Sequence, residues 1–476
     1  MNYEPVIGLE VHVQLNTKTK AFCGCAVEFG REPNSLTCPV CLGFPGALPV
    51  LNQTAFEYAL KVALALNCSI QKDTKFDRKN YFYPDLPKNY QISQYDLPLS
   101  LNGYLEIETQ DKIKHIGIRR VHLEEDAGKL IHLKNESLVD FNRCGTPLLE
   151  IVSEPQINSA QEAYDYLMTL KTVIQYLEVS DCDMEKGTLR CDANISLRKI
   201  GQEELGEKVE LKNMNSFKAV RDALDFEIRR QAELLSKNKK VVQETRLWDD
   251  RRLQTFSMRT KEEAADYRYF PEPDLPLFSI PDTLIEKIKN SLPELPRSRL
   301  MRLIKDYNLP PYDAKIIIQD KGLADYFEDC FKIYPKAKLI SNWLIGPVLA
   351  ELNSRKLEIK QLKLKPGDLI ELIESVEEGQ ISNLVAKDVL KAMLDAPGES
   401  ASSIIKERNL AQISDTAKLE EIIQEVLKEN PRSVKDYLSG KENALMFLVG
   451  QVMKKSSGKA NPKIVQEILK GRLKNV

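Results

Sequence analysis

Leu9-Glu10-Val11-His12-Val13-Gln14-Leu15 is the stretch on which the fold class turns. Leu9, Val11, Val13 and Leu15 fall on one side of an extended chain, and Glu10, His12 and Gln14 on the other. That period of two predicts a strand with one buried face. Leu189–Arg198 repeats it: small and apolar residues share one face, and Arg190, Asp192, Asn194, Ser196 and Arg198 share the opposite one. Lys208-Val209-Glu210-Leu211-Lys212 repeats it again. Strands polar on one side belong in an antiparallel sheet whose apolar side is covered by helices. Three helices are predicted to do so: one capped by Asn52 and running to Leu66, one over about 160–177, and one capped by Ser216. The last carries Val220, Leu224, Ile228, Ala232 and Leu235 as its stripe. The predicted class is α+β.

Beyond this region the pattern changes. Prolines at 271, 273, 276, 281, 293, 296, 310 and 311 mark a boundary. Helical periodicity then dominates, as in Lys338–Leu352 and Gly367–Val376, with a small-residue hinge or loop at Ala396–Ser403. The expected organisation is an α+β domain over 1–294, an all-α helical domain over 295–405 and a small all-α tail domain over 406–476. The chain's 476 residues accommodate three such units.

Lys and Arg total 68 against 70 Asp and Glu, so the chain as a whole is no polycation. Residues 441–476 nevertheless carry a local excess of six positive charges, enough for electrostatic contact with RNA or for plain solvation. No run approaches the roughly 20 apolar residues of a membrane span, and the N-terminus lacks a signal-peptide pattern. A cytoplasmic, membrane-free protein is expected. Five of the nine cysteines are scattered, which argues for reduced thiols. The other four form two close pairs, Cys23/Cys25 and Cys38/Cys41, a spacing suited to a tetrahedral structural Zn²⁺. Unligated loop cysteines and a redox pair are the alternatives.

A sheet face bearing Glu10, His12, Asp192 and Glu210 offers hard oxygen ligands and an imidazole, a set suited to Mg²⁺ or Mn²⁺. Val121–Lys129, with Glu124, Glu125 and Asp126, ends a strand in acids; Glu150 sits inside an apolar strand, where an unpaired carboxylate is costly. For any one of these a solvated face is the simpler account, but His12 and Glu150 lie in otherwise apolar runs. Such a face, with Lys79, Lys88, Arg143, Arg190, Lys212, Arg251 and Arg252 in reserve, suits nucleotide phosphates bridged by divalent metal. There is no Walker loop, no Gly-x-Gly-x-x-Gly and no Gly-x-Ser-x-Gly, so a P-loop, a Rossmann site and a serine-hydrolase elbow are all excluded. Phe76–Gln91, Trp248–Arg252 and Asp266–Phe270 mix aromatics with basic residues, as single-strand binding surfaces or as loops packed over the sheet.

Several of these segments together resemble one family. Glu4–Leu15, the four-cysteine knuckle, Arg78–Gln91, His122–Lys129, Asp140–Ile151, Met184–Asn194, Lys212–Phe217 and Tyr267–Leu275 look like the B-subunit family of bacterial aspartyl/glutamyl-tRNA(Asn/Gln) amidotransferases. The resemblance implies an N-terminal cradle with the glutamine-synthetase-like catalytic fold, then a helical domain and a tRNA-contacting tail. It implies two partners in one complex: an amidase, the A subunit, and a small third protein, the C subunit. It implies mischarged Glu-tRNA(Gln) or Asp-tRNA(Asn) as substrate, and ATP, Mg²⁺ and Zn²⁺ as cofactors. The side-chain carboxylate would be phosphorylated and then amidated by ammonia from the amidase. Carried to this chain, the expected Mg²⁺ ligands are His12, Glu125 and Glu150. Glu10 would serve a second ion, with Asp192 and Glu210 as further candidates. Arg190 and Lys212 are expected to stabilise the transferred phosphoryl, with Lys79, Lys88 and Arg190 holding the nucleotide, and Cys23, Cys25, Cys38 and Cys41 holding zinc. A tRNA-binding scaffold and a stand-alone carboxylate–amine ligase are the competing readings.

Overall fold

The alternation at Leu9–Leu15 becomes a strand, Tyr3–Gln14, in the interior of a nine-stranded sheet. The computed structural model describes residues 3–109, 112–260, 267–410, 416–456 and 460–473. In spatial order the sheet runs Gln254–Thr260, Glu244–Asp249, Val209–Lys212, Leu189–Lys199, Tyr3–Gln14, Pro147–Ser153, Ile113–Glu125, Ser100–Glu108 and Ser69–Ile70. Neighbours are antiparallel with one exception, the parallel pair Val209–Lys212 and Glu244–Asp249. The helix Phe217–Ser236 lies between those two strands in the chain, and a crossover of that length lets the second strand run beside the first in the same direction.

Leu9, Val11, Val13, Ile151, Leu123, Cys191 and Ala193 are buried in one core with the helices Gln53–Ala65, Ala160–Tyr176 and Phe217–Ser236. Each helix starts where a short polar side chain takes up a free N–H: Asn52 accepts from Ala55, Ser159 from Glu162 and Ser216 from Ala219. Ser216→Ala removes one of these caps and is expected to cost about 1 kcal/mol, read as a lower midpoint in urea unfolding. A smaller sheet of Asp77–Asn80, Tyr90–Ser93 and Phe270–Pro271 carries part of the first aromatic-basic segment.

The chain divides into two compact units, Met1–Pro296 and Arg297–Val476. Among the described residues of the second, every regular element is helical. It contains two apolar cores, one from Leu303 to Ile405 and one from Leu419 to Leu473. The helix expected over Lys338–Leu352 is interrupted: Ala337–Trp343 passes into a π-helical turn, Leu344–Val348, and resumes as Leu349–Arg355. Pro347 sits in that turn and has no N–H to donate, which breaks the i→i−4 ladder. The small-residue stretch after Ala396 also yields a helix, Ala401–Glu407, because Ser400 caps it through the Ser403 N–H.

The basic tail is less basic in space than in sequence. Lys455 bridges Glu425 and Glu429, Arg472 pairs with Glu420, and Lys441 with Asp436. Lys459, Lys474 and the Lys463 side chain lie outside the described residues. Among the described residues, no helix is long and apolar enough to cross a membrane.

Candidate active site

The strand register sets the site. His12 stands opposite Arg190 on one side and Glu150 on the other, and Glu150 stands opposite His122. Glu124 follows His122 by two residues and therefore shares its face. His12, Glu124 and Glu150 bring one ligand atom each within 4.8 Å of one another. The His12 Nε2 lies 3.4 Å from Glu150 and 4.0 Å from Glu124, and the His122 Nε2 lies 3.7 and 3.8 Å from Glu124 and Glu150. Glu124 is only 2% exposed and accepts a hydrogen bond from Ser93 at 3.1 Å. Burial raises the cost of both carboxylates, yet both are held below the usual range. His122 does this for Glu124, and His122 and His12 do it for Glu150. Burial works against charge on His12 as well, and the two glutamates outweigh it, so its pKa is raised.

One expected ligand does not join this group. Glu125, one residue beyond Glu124, faces the other way: its carboxylate pairs with Lys88 and accepts from the Ile92 N–H at 2.9 Å. Lys88, expected at the nucleotide, is committed to that buried pair. The signal that separates the two acids was present in the sequence. Val121 and Leu123 mark the apolar parity of the strand, which puts His122 and Glu124 together and Glu125 with the apolar set.

Along the face lies a second acidic group. Glu10 stands opposite Asp192, and Glu210 opposite Asn194. Lys212 places its ammonium against both Asp192 and Glu210, the latter at 3.2 Å, so a cation of the protein's own already bridges these two. Glu10 accepts from Asn194 at 2.9 Å; burial first, then Glu150, Asp192 and Glu210, raise its pKa. Arg190 sits 3.0 Å from Asp126, which Gln14 also holds at 2.6 Å. Lys79 lies 4.8 Å over the Tyr267 ring; burial opposes its charge, and Glu124 and Glu150 hold its pKa up, which sets it beside the cluster. A cavity of about 240 Å³ opens beside Glu10, lined by Val6, Gly8, Asn194, Ser196 and Leu205 among others.

Seven buried side-chain polar atoms among the described residues lack a partner, and four of them belong to this face: Arg120 Nε, His122 Nδ1, Arg190 Nε and Asn194 Oδ1. Buried polar groups are rarely left so, and their concentration on one face fits a surface built to receive polar ligands. Two imidazoles, two ionised carboxylates and neighbouring cations suit a divalent metal with phosphate. The aromatic-basic segments divide. Phe76 and Trp248 are core residues, whereas Phe82 and Tyr83 are exposed on the loop that leads from Lys79. Arg251 and Arg252 stand in the turn before Gln254–Thr260, where their backbone N–H groups donate to Asp249. Asp266 lies outside the described residues.

The four knuckle cysteines also converge, their sulfurs within 4.8 Å of one another. Hydrogen bonding from Cys23, then from the Cys38 backbone, and the Lys20 charge pull the Cys41 thiol down to about 4 against its burial. Cys23 and Cys25 are pushed the other way, by the hydrogen bond to Cys41 and by burial respectively, so the negative charge gathers on Cys41; four sulfurs converging on one point fit a soft tetrahedral ion.

Fold and site together define a protein with an α+β unit, whose open sheet face carries a His–Glu–Glu group able to hold a cation, followed by a helical unit. Residues 5–286 match the family model described as the GatB/GatE catalytic domain, and residues 325–473 match that of the GatB domain. The chain is 55% identical over 477 positions to the aspartyl/glutamyl-tRNA(Asn/Gln) amidotransferase B subunit of Moorella thermoacetica, covering 99% of this chain and 100% of the relative. It is 53% identical over 476 positions to that of Carboxydothermus hydrogenoformans, covering 99% of each. The chain belongs to the B-subunit family of aspartyl/glutamyl-tRNA(Asn/Gln) amidotransferases.

Proposed function

We propose that this chain is the kinase and amidation subunit of a tRNA-dependent amidotransferase that works in the cytoplasm. Its partners are an amidase, the A subunit, and a small third protein, the C subunit. It binds Glu-tRNA(Gln), Asp-tRNA(Asn) or both. The side-chain carboxylate oxygen attacks the γ-phosphorus of ATP and ADP leaves; ammonia from the amidase then attacks the acyl carbon and inorganic phosphate leaves. The observation that carries this reading is the His12–Glu124–Glu150 group, which a tRNA-binding scaffold would not need.

His12, Glu124 and Glu150 would hold Mg²⁺, with Glu10 beside them for a second ion. When bound, the metal neutralises phosphate charge and so lowers the repulsion between two anions. His122, on the same face, orients Glu124 and Glu150 from beside them. Arg190, held by Asp126, offers its unpaired Nε–H to the transferred phosphoryl. Lys79 adds a fixed positive charge at the same place. Lys212 holds Asp192 and Glu210, and its ammonium is near enough to the face to meet a nucleotide oxygen. The cavity beside Glu10 suits the nucleoside, with Val6 and Leu205 supplying apolar contact. In domain terms, 1–294 is the catalytic cradle, of the glutamine-synthetase-like kind. Residues 295–405 are a helical spacer and 406–476 a tRNA-contacting tail, a division supported by the separate apolar cores of the last two. Cys23, Cys25, Cys38 and Cys41 bind a structural Zn²⁺.

The test is ADP release by the assembled complex with Glu-tRNA(Gln) or uncharged tRNA, each with and without Mg²⁺. ADP is expected only with charged tRNA and Mg²⁺, and chelation by EDTA is expected to abolish it. ADP release indifferent to aminoacylation would sink the side-chain phosphorylation step.

A further inference from the structure

Lys20 is 0% exposed, a rare state for an amine. Its Nζ meets three acceptors: the Leu36 carbonyl at 2.7 Å, the Phe141 carbonyl at 3.4 Å and the Cys41 sulfur at 3.6 Å. Among the described residues no carboxylate is within ion-pair distance of it. A buried ammonium without a counter-charge is strongly unfavourable, and two carbonyl dipoles compensate only part of it. The remaining partner is sulfur, and Cys41 supplies negative charge only as a thiolate. Four thiolates around a divalent ion leave two excess negative charges in a half-buried loop; one fixed ammonium halves that.

The position of Lys20 also matters. The neighbouring Ala21 N–H donates to the Gly145 carbonyl at 2.8 Å, and the Gly145 N–H donates to the Asp126 carbonyl at 2.8 Å. Gly145 has φ +81°, and the site of a Cβ there lies in ordinary van der Waals contact with the Lys20 Cδ at 3.4 Å, the Cys41 Cβ at 3.5 Å and the Glu125 Oε2 at 3.8 Å, so knuckle, lysine and loop adjoin at this one residue. Asp126 is the residue that holds Arg190.

We infer that Lys20 is the charge-balancing residue of the cysteine knuckle: its ammonium offsets the excess negative charge of the four-sulfur centre and ties that centre to the 141–146 loop that positions Asp126 and Arg190. This rests on reading the knuckle as a zinc site. Lys20 is a positioning residue, one step removed from substrate, and its role is read at the metal.

The experiment uses the full-length chain as wild type, Lys20→Gln and Lys20→Arg. Zinc per chain is measured first, then zinc loss against increasing chelator, then the sulfur-to-cobalt charge-transfer band after Co²⁺ exchange. Glutamine keeps amide donors for the two carbonyls and removes the charge. It is expected to lose zinc at chelator concentrations at least tenfold lower and to move the cobalt band to longer wavelength, because Cys41 becomes a stronger donor. Lys20→Arg keeps the charge and is expected to keep both the zinc and the band, which holds the inference to account if the glutamine variant does not fold. Wild type without one zinc per chain overturns the zinc reading and this inference with it. Wild type with zinc, and a folded glutamine variant equal to it in both readouts, overturns the role of Lys20 alone; so does an arginine variant that folds but loses the metal.

Discussion

Glu124→Gln is expected to lower charged-tRNA-dependent ADP release by about 10³-fold or more, with the chain still folded. The change keeps the side chain's shape and one oxygen, so Ser93 and His122 retain a partner. What it removes is a negative charge that His122 sustains against burial, and with it one of the three converging groups proposed to hold the metal. Glu125→Gln, the adjacent residue, is expected to do something different. Its carboxylate is the counter-ion of Lys88, and both side chains are buried. Breaking such a pair leaves an uncompensated ammonium and costs about 3–5 kcal/mol. Urea unfolding and single-turnover ADP formation on the two variants separate the roles. Equal loss of activity at unchanged stability in both would mean that the parity of the strand does not decide which acid binds metal.

That contrast also shows where the sequence was legible. The apolar stripes of Leu9–Leu15 and Leu189–Arg198 were sufficient for two neighbouring strands and for the polar face they share, because one-sided burial forces period-two alternation. Asn52 and Ser216 located helix starts because a free N–H needs a nearby oxygen. His12 and Glu150 stood out as polar residues in apolar runs, and both lie in the cluster. What the residues alone did not yield is whatever depends on register between distant strands. That His122 faces Glu150, or that Lys212 settles between Asp192 and Glu210, follows from pairing across segments far apart in the chain. For Trp248 and Phe76, which are core residues, the sequence left binding surface and packed loop both open, because aromatic residues beside arginines look alike in either role. The tail's excess charge was counted along the chain, whereas its partners Glu420, Glu425 and Glu429 come from an earlier helix.

Arg190→Lys is expected to lower the single-turnover rate of ADP formation by about 10²–10³-fold while changing KM for charged tRNA only a few-fold. Lysine preserves the charge, so a purely electrostatic role would survive the exchange. Arg190 differs in using two parts of a rigid fork for two purposes. One terminal nitrogen is fixed by Asp126 at 3.0 Å, while the buried Nε–H has no hydrogen-bond partner among the described residues. A lysine ammonium drawn to Asp126, whose carboxyl stays ionised despite burial because Arg190 and Arg143 face it, has no second group left in the direction of His12. Asp126→Asn tests the same geometry from the other side. It leaves Arg190 intact but unanchored, and its loss of rate is expected to be smaller than that of Arg190→Lys. In the double variant the two losses should fail to add, since both act through one guanidinium. Additive losses would separate Asp126 from Arg190. A raised KM with unchanged rate in Arg190→Lys would move the arginine from the reacting phosphoryl group to ordinary substrate binding.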